Sequence, residues 1–397
     1  MDRSSFTNKA LGHLEPTTFQ ERSSHRPYGV RTVAGIAFIP DPLPAKLTRS
    51  ELLNAAYEEL VRAERALSEL QGAVERINPN LLIDPFTRRE AKLSSAIENT
   101  FASPEQMALF DLDPTSIEPE ERDEVREVVN YARALRYGLK SSIPLSLRLV
   151  RELHRHLLEG VERKAGTPGE FRTTQNAIGR PGQSFADARF VPPPPQHLQQ
   201  CLSDWEKFLH SESDLPRLVK FAMSHYQFEC IHPFDDGNGR VGRLLIALQL
   251  CDQAQLSQPL VYVSGYFEKH RSDYYDLMLR VSTHGDWLGW IKFFLTAIHE
   301  QADDARQRAR RLADLRDDYH ARVREKRASA LLPKIVDELF MQPSLTVARV
   351  TKQTGLSPQS AGKLVSKLVE KNILEEVTGR KSYRIFYAPE IAHMIDH

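Results

Sequence analysis

Apolar residues recur at steps of three and four along most of this chain, and that spacing constrains its fold more than any other feature. Between Arg49 and Ile77 the apolar positions are Leu52, Ala56, Leu60, Ala63, Leu67, Leu70 and Val74. Residues three and four apart share one face of an α-helix, so this segment predicts a helix with one buried side. Helical patterns recur at about 87–100, 118–138, 145–164, 196–210, 216–231, 240–254, 271–281 and 287–300. The sequence therefore predicts a mainly α fold.

The segments between and beyond these patterns divide the chain into five regions. Residues 1–48 are polar and then interrupted by prolines, which predicts an extended, loop-like segment. Two helical regions follow, at 49–125 and 126–300, and the second contains a loop-rich stretch from Gly166 to Pro195 that predicts a flap or short hairpin. Residues 301–330 are dense in Arg, Asp and Ala, which favours a solvated linker helix. Residues 331–397 form a separate unit.

The overall composition limits the kinds of partner that the chain can have. The 53 basic and 53 acidic side chains cancel, so no net charge attracts nucleic acid or a membrane. No apolar run approaches the roughly 20 residues that span a bilayer, and the N-terminus lacks the apolar core of a secretory signal. The three cysteines, Cys201, Cys230 and Cys251, have no metal-binding spacing. We therefore expect a cytoplasmic protein with reduced thiols and no membrane partner.

A glycine-containing loop leads directly into an apolar helical segment at residues 232–243. Gly237 and Gly239 allow a tight turn and a close approach of the backbone to a ligand. The helix that follows begins with Val241, Leu244 and Leu245, and its first N–H groups have no partner within the helix. Such a helix start is suited to phosphate.

The polar side chains of this loop complete a possible reaction site. Arg240 and Arg243 lie three residues apart and are predicted to face the same way, each gripping a different phosphate of one nucleotide. Asp236 is a suitable Mg²⁺ ligand, and Asn238 can donate to a phosphoryl oxygen. His232 has the chemistry of a general base. A plain turn explains any one of these residues, but their order within twelve positions predicts one site.

Residues 232–243 resemble the Fic signature, His-x-Phe-x-Asp/Glu-Gly-Asn-Gly-Arg-x-x-Arg, at every signature position. The resemblance implies a Fic-type helical bundle with a small β-hairpin flap over 126–300, and transfer of AMP from ATP to a Ser, Thr or Tyr hydroxyl of a target protein. It implies that His232 is the base, that Asp236 holds Mg²⁺ and that Phe234 positions the loop. The residues implied to bind ATP in this segment are Gly237, Asn238 and Gly239, which form the anion hole, and Arg240, Val241, Gly242 and Arg243, whose two arginines hold the β- and γ-phosphates.

The resemblance continues on both sides of the loop, over roughly residues 50–300. Gly169–Arg172 and Gln175–Gly179 resemble the entry to the family's flap, and Phe190–Pro194 resembles its exit. In the family that flap pairs with the target backbone as an added strand. Tyr274 and Tyr275 match a pair that flanks adenine, although two buried aromatic residues in a helix would look the same. Ser282 replaces an expected asparagine, so the contacts to the base stay open.

Upstream of the loop, Ser94–Asn99 resembles the family's inhibitory motif, Ser/Thr-x-x-x-Glu-Gly/Asn. The resemblance implies that Glu98 pairs with Arg243 and takes the place of the γ-phosphate. ATP would then bind with its α-phosphate misaligned for attack. The alternative is that Glu98 is a solvent-facing helix residue.

The last region, 331–397, shows a winged helix-turn-helix pattern. Leu331–Met341 is amphipathic, Thr346–Thr354 follows as a short helix, and Ser357 with Pro358 begins a third. A wing is predicted at Gly379-Arg380-Lys381, followed by a strand from Tyr383 to Tyr387. Such units commonly place the third helix in the DNA major groove. The predicted phosphate contacts are Lys363, Lys367, Arg380, Lys381 and Arg384.

Three functions are compatible with these features. The first is an autoinhibited protein adenylyltransferase, whose partners are ATP and a target protein. The second is a DNA-binding regulator whose Fic-like domain senses a nucleotide, although an intact His232 favours an enzyme. The third is a relative that transfers another phosphate-containing group, such as UMP or phosphocholine, or that removes AMP. The C-terminal unit serves DNA binding, target docking or homodimer formation in these alternatives.

Overall fold

The computed structural model describes residues 3–22, 30–44, 48–75, 77, 80–162, 165–179, 187–252, 256, 259–324, 329–380 and 382–396. The chain is mainly α, as predicted. The elements up to residue 323 are β1 (Gly12–Arg22), β2 (Val30–Pro40), α1 (Arg49–Val74), α2 (Asn80–Ile97), α3 (Pro104–Leu112), α4 (Arg122–Lys140), α5 (Leu147–Leu157), α6 (Pro195–His210), α7 (Arg217–Ile231), α8 (Asn238–Asp252), α9 (Ser264–Lys269), α10 (Arg271–His284) and α11 (Trp287–Val323).

Local sequence explains where several helices begin. Thr48 accepts a hydrogen bond from the backbone N–H of Glu51, and the Glu51 carboxylate accepts one from the N–H of Thr48. Ser103 and Gln106 form the same reciprocal pair at the start of α3. Each pair satisfies backbone donors that a helix start leaves open. The polar residues at these positions therefore set the helix boundaries.

The helices α7 and α8 form the centre of the molecule. Nearly every residue of α7 is buried, from Leu218 to Ile231, and α8 is buried from Arg240 to Leu250. They pack against each other and against α4, α5, α6 and α11. A helix buried on all sides needs no amphipathic pattern, and neither helix shows a continuous polar face. The loop between α7 and α8 therefore joins two buried, tightly packed helices.

The first region is not the loop-like segment that the sequence predicted. β1 and β2 form an antiparallel hairpin with Gly12 opposite Pro40 and Arg22 opposite Val30. Phe19 and Ala37 are buried in a small cluster with Ala188 and Val191, and the Phe38 N–H donates to the Val191 carbonyl at 2.9 Å. Contacts with residues more than 150 positions away thus help to stabilise these strands.

The helix predicted at 301–330 is present as far as Val323, but it is not a solvated linker. α11 runs without a break from Trp287 to Val323, and its second half is buried at Ala302, Ala305, Ala309 and Leu312. Alanine allows close packing, and this face lies against α1. Charged residues are not confined to the outer face, since Arg308 is itself buried and pairs with Asp304 at 2.7 Å. Residues 325–328 lie outside the described residues.

The C-terminal unit follows the predicted order and adds two short strands and one helix. Its elements are α12 (Leu331–Met341), β3 (Ser344–Thr346), α13 (Val347–Thr354), α14 (Pro358–Glu370), β4 (Glu375–Glu376), β5 (Ile385–Tyr387) and α15 (Pro389–Asp396). The strands form an antiparallel sheet in the order β3-β5-β4. The unpredicted α15 packs on α11, where Arg322 pairs with Glu390 at 3.1 Å. The winged-helix assignment stays a prediction.

Among the described residues, no helix is both long and apolar enough to cross a bilayer.

Candidate active site

The candidate site lies at the junction of α7 and α8, where the chain reverses. α7 ends at His232, whose backbone adopts the left-handed conformation (φ 50°, ψ 63°). The Val241 N–H donates to the Gly237 carbonyl at 3.0 Å, which is the first backbone hydrogen bond of α8. The N–H groups of Asn238, Gly239 and Arg240 precede that bond and have no intrahelical acceptor. They form the start of a helix that can accept an anion.

Phe234 and Asn238 hold the loop in this shape. The Phe234 N–H donates to Asn238 Oδ1 at 2.8 Å, and Asn238 Nδ2 donates to the Phe234 carbonyl at 2.8 Å. Asn176 donates to the same carbonyl at 3.0 Å, and the His154 ring stacks on Phe234 with centroids 3.7 Å apart. The Asn238 side chain is therefore used within the loop. Only its backbone N–H faces the position where the sequence predicted a phosphoryl contact.

His232 is oriented by the backbone of α7. Its Nδ1 lies 3.3 Å from the Glu229 carbonyl oxygen. An Nδ1–H that donates to this carbonyl leaves Nε2 as a proton acceptor, a tautomer that we assign from the contact. Burial and the nearby Arg172 guanidinium lower the pKa of His232 to about 4. The imidazole is thus neutral at physiological pH, as a general base must be.

Arg240 and Arg243 point to different partners rather than the same way. Arg240 forms ion pairs with Glu127 of α4 and, at 3.3 Å, with Asp236. Its side chain is only 3% exposed. Arg243 turns toward α2 instead. The two guanidinium groups therefore approach the helix start from separate sides.

Glu98 contacts Arg243, as the inhibitory motif predicted. Arg243 Nη2 lies 2.9 Å from Glu98 Oε1, and the pair meets through this one nitrogen rather than in bidentate fashion. Ser94 takes the other contacts, with its Oγ 2.8 Å from Arg243 Nε and its carbonyl 2.8 Å from Nη2. Although burial favours the neutral acid, the Arg243 guanidinium lowers the pKa of Glu98 below its usual value. The pair is therefore ionised.

The Glu98 carboxylate lies directly over the start of α8. A Cβ atom added to Gly239 would overlap Glu98 Oε1 and lie 2.9 Å from Arg243 Nη1. The absence of a side chain at Gly239 thus creates the space that Glu98 fills. This is the same space that an anion at the helix start would need.

A cavity of about 730 Å³ opens beside this carboxylate. Its lining includes Gly239, Arg243 and His232 from the loop and α8. Tyr275, Met278 and Leu279 of α10 and the residues Ile178 and Phe190 also line it. Ile178 and Phe190 form an antiparallel bridge, which is the stem of the predicted flap. Residues 180–186, where its tip was predicted, lie outside the described residues.

The two predicted adenine-flanking tyrosines have different environments. Tyr274 is 1% exposed, and its hydroxyl lies 2.9 Å from His225 Nε2. Tyr275 is partly buried and packs on Tyr274 with ring centroids 5.1 Å apart. Ser282, which replaces the expected asparagine, lies 2.8 Å from the Tyr226 hydroxyl. Tyr275 is therefore the ring available to a ligand, and Tyr274 is its support.

Asp236 satisfies the requirements for a Mg²⁺ ligand that arrives with a nucleotide. Its side chain is 37% exposed at the rim of the helix start, and its Oδ1 accepts from the Gly237 N–H at 2.6 Å. Mg²⁺ is commonly held by one or two carboxylates together with substrate phosphates. No group of three or more His, Cys, Asp or Glu residues arranged for metal binding occurs among the described residues. The Asp236 carboxylate is therefore suited to an ion that a nucleotide brings with it, rather than to an ion held by protein ligands alone.

Three residues that support the loop were not identified from the sequence. Arg172 is 3% exposed and donates to the carbonyls of His232 and Pro193 at 2.9 and 2.6 Å. His154 Nδ1 accepts from the Gly169 N–H at 2.8 Å, and its Nε2 lies 3.0 Å from the Asp236 carbonyl. Glu127 pairs with Arg240. For Glu127, the sequence offered one signal of a buried role: a charged residue among the apolar residues of a helical segment. The other two residues carry no such signal.

Comparison with known proteins agrees with this geometry. Residues 144–250 match the Fic/DOC family, and residues 57–140 match the Fic/DOC family N-terminal region. The two matches together span residues 57–250, apart from residues 141–143 between them. The first match ends within α8 and includes the whole loop.

Curated relatives in this family are named protein adenylyltransferase Fic. The proteins of Drosophila grimshawi and Aedes aegypti are each 30% identical over 260 and 261 residues, which is 64% of this chain and 47% and 46% of theirs. The Culex quinquefasciatus protein is 32% identical over 187 residues, or 46% of this chain and 34% of its own. The chain thus spans a third to a half of the length of these relatives.

Solved structures show the same fold. A Fic family protein from Desulfovibrio desulfuricans superposes with a TM-score of 0.55 at 21% identity, over 87% of this chain and 97% of its own. A Fic domain containing signaling protein from Bacteroides thetaiotaomicron gives a TM-score of 0.50 at 18% identity, over 64% and 97%.

Proposed function

We propose that this protein is an autoinhibited protein adenylyltransferase, which transfers AMP from ATP to a Ser, Thr or Tyr hydroxyl of a target protein. The observation that carries the proposal is the neutral His232 beside an anion-binding helix start with Arg243. The names of the curated relatives support the same activity. The cavity next to this helix start has the size and the aromatic lining that a nucleotide needs.

In the proposed reaction, His232 Nε2 accepts the proton of the target hydroxyl. The hydroxyl oxygen bonds to the α-phosphorus, and the bond between that phosphorus and the oxygen bridging to the β-phosphate breaks. Pyrophosphate leaves. The backbone N–H groups of Asn238 and Gly239 stabilise the charge on the phosphates. Asp236 would hold Mg²⁺, which supplies further neutralisation of the triphosphate when bound.

Two arginines and one glutamate would control this reaction. Arg243 would bind the terminal phosphate, and Arg240, fixed by Glu127 and Asp236, would bind the neighbouring one. Glu98 would compete with the terminal phosphate for Arg243, because both are anions that need the space over Gly239. A bound nucleotide would then be misaligned, and in-line transfer depends steeply on alignment. The form in which Glu98 contacts Arg243 is therefore expected to bind ATP but to transfer AMP slowly.

The test compares ATP labelled at the α-phosphate with ATP labelled at the γ-phosphate. Wild type, Glu98→Gly and His232→Ala are incubated with each label and a protein extract. Label on protein only from α-labelled ATP, and only with His232 present, is the expected result. Label from the γ-position would overturn the proposal in favour of a kinase-like reaction. Loss of α-label from pre-modified protein would identify the AMP-removing alternative, and parallel reactions with labelled UTP would identify UMP transfer.

A second proposed function is nucleic-acid binding by the C-terminal unit. Lys363, Lys367, Lys371 and Arg384 line a groove along α14, with Glu370 as the acidic member. Basic side chains along one exposed helix are suited to a phosphate backbone. Of the other predicted contacts, Arg380 pairs with Asp113 at 3.3 Å, and Lys381 lies outside the described residues. An electrophoretic shift at low salt that Lys363→Glu abolishes would support binding, and no shift would refute it.

A further inference from the structure

Glu229 is a buried carboxyl group that the proposed reaction does not use. It lies on α7, three residues before His232, and it is 8% exposed. Its side chain lines the same cavity as His232, Arg243 and Tyr275. Its backbone orients His232, but its side chain has no role in that contact. The carboxyl group is therefore available to a ligand of the cavity.

One oxygen of this group has no partner among the residues that the structure describes. Glu229 Oε1 is buried without a hydrogen bond. Buried polar atoms are almost always hydrogen-bonded, because leaving one unpaired costs free energy. Because this oxygen is enclosed by protein, a hydrogen bond from a ligand must reach the part of the carboxyl group that lines the cavity.

Gly242 forms the seat for this carboxyl group. A Cβ atom added to Gly242 would overlap Glu229 Oε1 and lie 3.2 Å from His225 Cε1. Gly242 occupies a variable position of the Fic signature, so the signature itself does not require glycine there. The space that it leaves accommodates Glu229.

Charge favours the neutral form of this group. Burial, reinforced by the Glu98 carboxylate and opposed by Arg243, raises the pKa of Glu229 to about 8. Binding of a triphosphate adds negative charge and favours the proton further. A protonated carboxyl group donates a hydrogen bond, whereas an ionised one only accepts. Glu229 is thus a donor under the conditions in which a nucleotide binds.

The position of Glu229 indicates which part of a bound nucleotide it would contact. Its seat, Gly242, is adjacent in sequence to Arg243, which lines the cavity and is proposed to bind a phosphate. Its carboxyl group is also close enough to Tyr274 and Tyr275, which line the same cavity, to add to the effect of burial in raising the pKa of both hydroxyls. The ribose of a nucleotide joins its phosphates to its base. We propose that Glu229 donates a hydrogen bond to a sugar hydroxyl of the bound nucleotide and thereby favours ribonucleotides over deoxyribonucleotides.

The test measures binding and requires no transfer. It rests on the proposed function only in taking a nucleotide as the ligand. The full-length chain carrying Glu98→Gly and His232→Ala is titrated calorimetrically with ATP, 2′-deoxy-ATP and 3′-deoxy-ATP in the presence of Mg²⁺. We expect ATP to bind about fivefold more tightly than one of the two deoxy analogues, the factor that corresponds to ~1 kcal/mol for a net hydrogen bond.

Two substitutions of similar volume then separate donation from packing. Glu229→Met fills the site without a donor and is expected to reduce the ATP preference to within about twofold. Glu229→Gln retains a neutral donor and is expected to keep the preference. A preference that persists in Glu229→Met, or that is absent from the parent chain, would overturn the proposal. Loss of the preference in both variants would show that the ionised carboxylate is recognised and would also overturn it.

If labelled AMP is never transferred but the preference follows Glu229, adenylyl transfer fails and the sugar contact stands. If AMP is transferred and Glu229→Met keeps the preference, the sugar contact fails alone.

Discussion

Replacing Glu98 with glycine should accelerate AMP transfer, because it removes the carboxylate that occupies the space over Gly239. Ser94 continues to hold Arg243 through its Oγ and its carbonyl, each at 2.8 Å. The guanidinium therefore stays in place for a phosphate. The substitution removes the competitor without removing the binding group, which is the condition for a gain in rate.

The size of the gain follows from the contact that is lost. A hydrogen bond to a charged group contributes roughly 1.5–3 kcal/mol net. The Glu98 side chain is 34% exposed, so water screens the pair and the lower part of that range applies. About 2 kcal/mol corresponds to roughly thirtyfold in an equilibrium constant, at ~1.4 kcal/mol per tenfold. We therefore expect initial rates about thirtyfold above those of the wild type.

The assay is incorporation of α-labelled phosphate into protein, followed by gel electrophoresis at early times. Glu98→Gln is the matched control, because it keeps the side-chain length and an acceptor oxygen but removes the charge. Its rate should lie between those of wild type and Glu98→Gly. Adding His232→Ala to Glu98→Gly should abolish the signal. Equal initial rates for wild type and Glu98→Gly would refute the reasoning.

Three further predictions concern residues around the loop. Arg172→Met removes the donors to the His232 and Pro193 carbonyls. We therefore expect the rate of transfer to fall at least about tenfold, while the affinity for ATP measured by calorimetry changes little. An equal loss of rate and affinity would contradict a positioning role for Arg172. Glu127→Gln leaves the buried Arg240 with Asp236 as its remaining ion-pair partner. We expect thermal unfolding to show a loss of about 1–3 kcal/mol in the free energy of unfolding, which added ATP partly restores. An unchanged melting temperature would contradict this prediction. The pKa of Glu229 is raised to about 8 in the folded state, so its contribution to stability is complete at low pH and is lost as pH rises toward 8. Between pH 5 and pH 7 the wild type should lose about 3 kcal/mol relative to Glu229→Gln in urea unfolding, at ~1.36 kcal/mol per pKa unit, and parallel pH profiles would contradict it.

The features that local sequence determines were predictable. Apolar spacing located the long helices, and Thr48 with Glu51 set the start of α1. The order of residues from His232 to Arg243 located the start of α8 and the histidine that precedes it. Glu98 lies on Arg243 as the inhibitory motif implied. In each case a short segment carries the whole signal, so no knowledge of distant contacts was needed.

The features that depend on distant residues were not predictable. The β1–β2 hairpin packs against Ala188 and Val191, and residues 12–40 alone do not indicate these distant partners. Helical spacing suggested that Arg240 and Arg243 face the same way. Glu127, on α4, and Ser94, on α2, draw them to separate partners. The direction of a long side chain on a buried helix is thus decided by the neighbouring helices rather than by its own sequence.

The same contacts indicate how the proposed inhibition by Glu98 can be relieved without unfolding α2. Ser94 and Glu98 lie one turn apart, and both contact Arg243, but they act differently: Ser94 positions the guanidinium, while Glu98 covers the helix start of α8. Only the last turn of α2 needs to move to uncover it. Asn99 ends that turn in the left-handed conformation (φ 61°), and its side chain accepts from Arg271 of α10 at 2.9 Å. Because α10 also supplies Tyr275, Arg271 and Asn99 link the end of this turn to a wall of the cavity that we propose binds the nucleotide. A nucleotide or a partner that shifts α10 would therefore act on Glu98 through Asn99, while Ser94 keeps Arg243 in place for the phosphate.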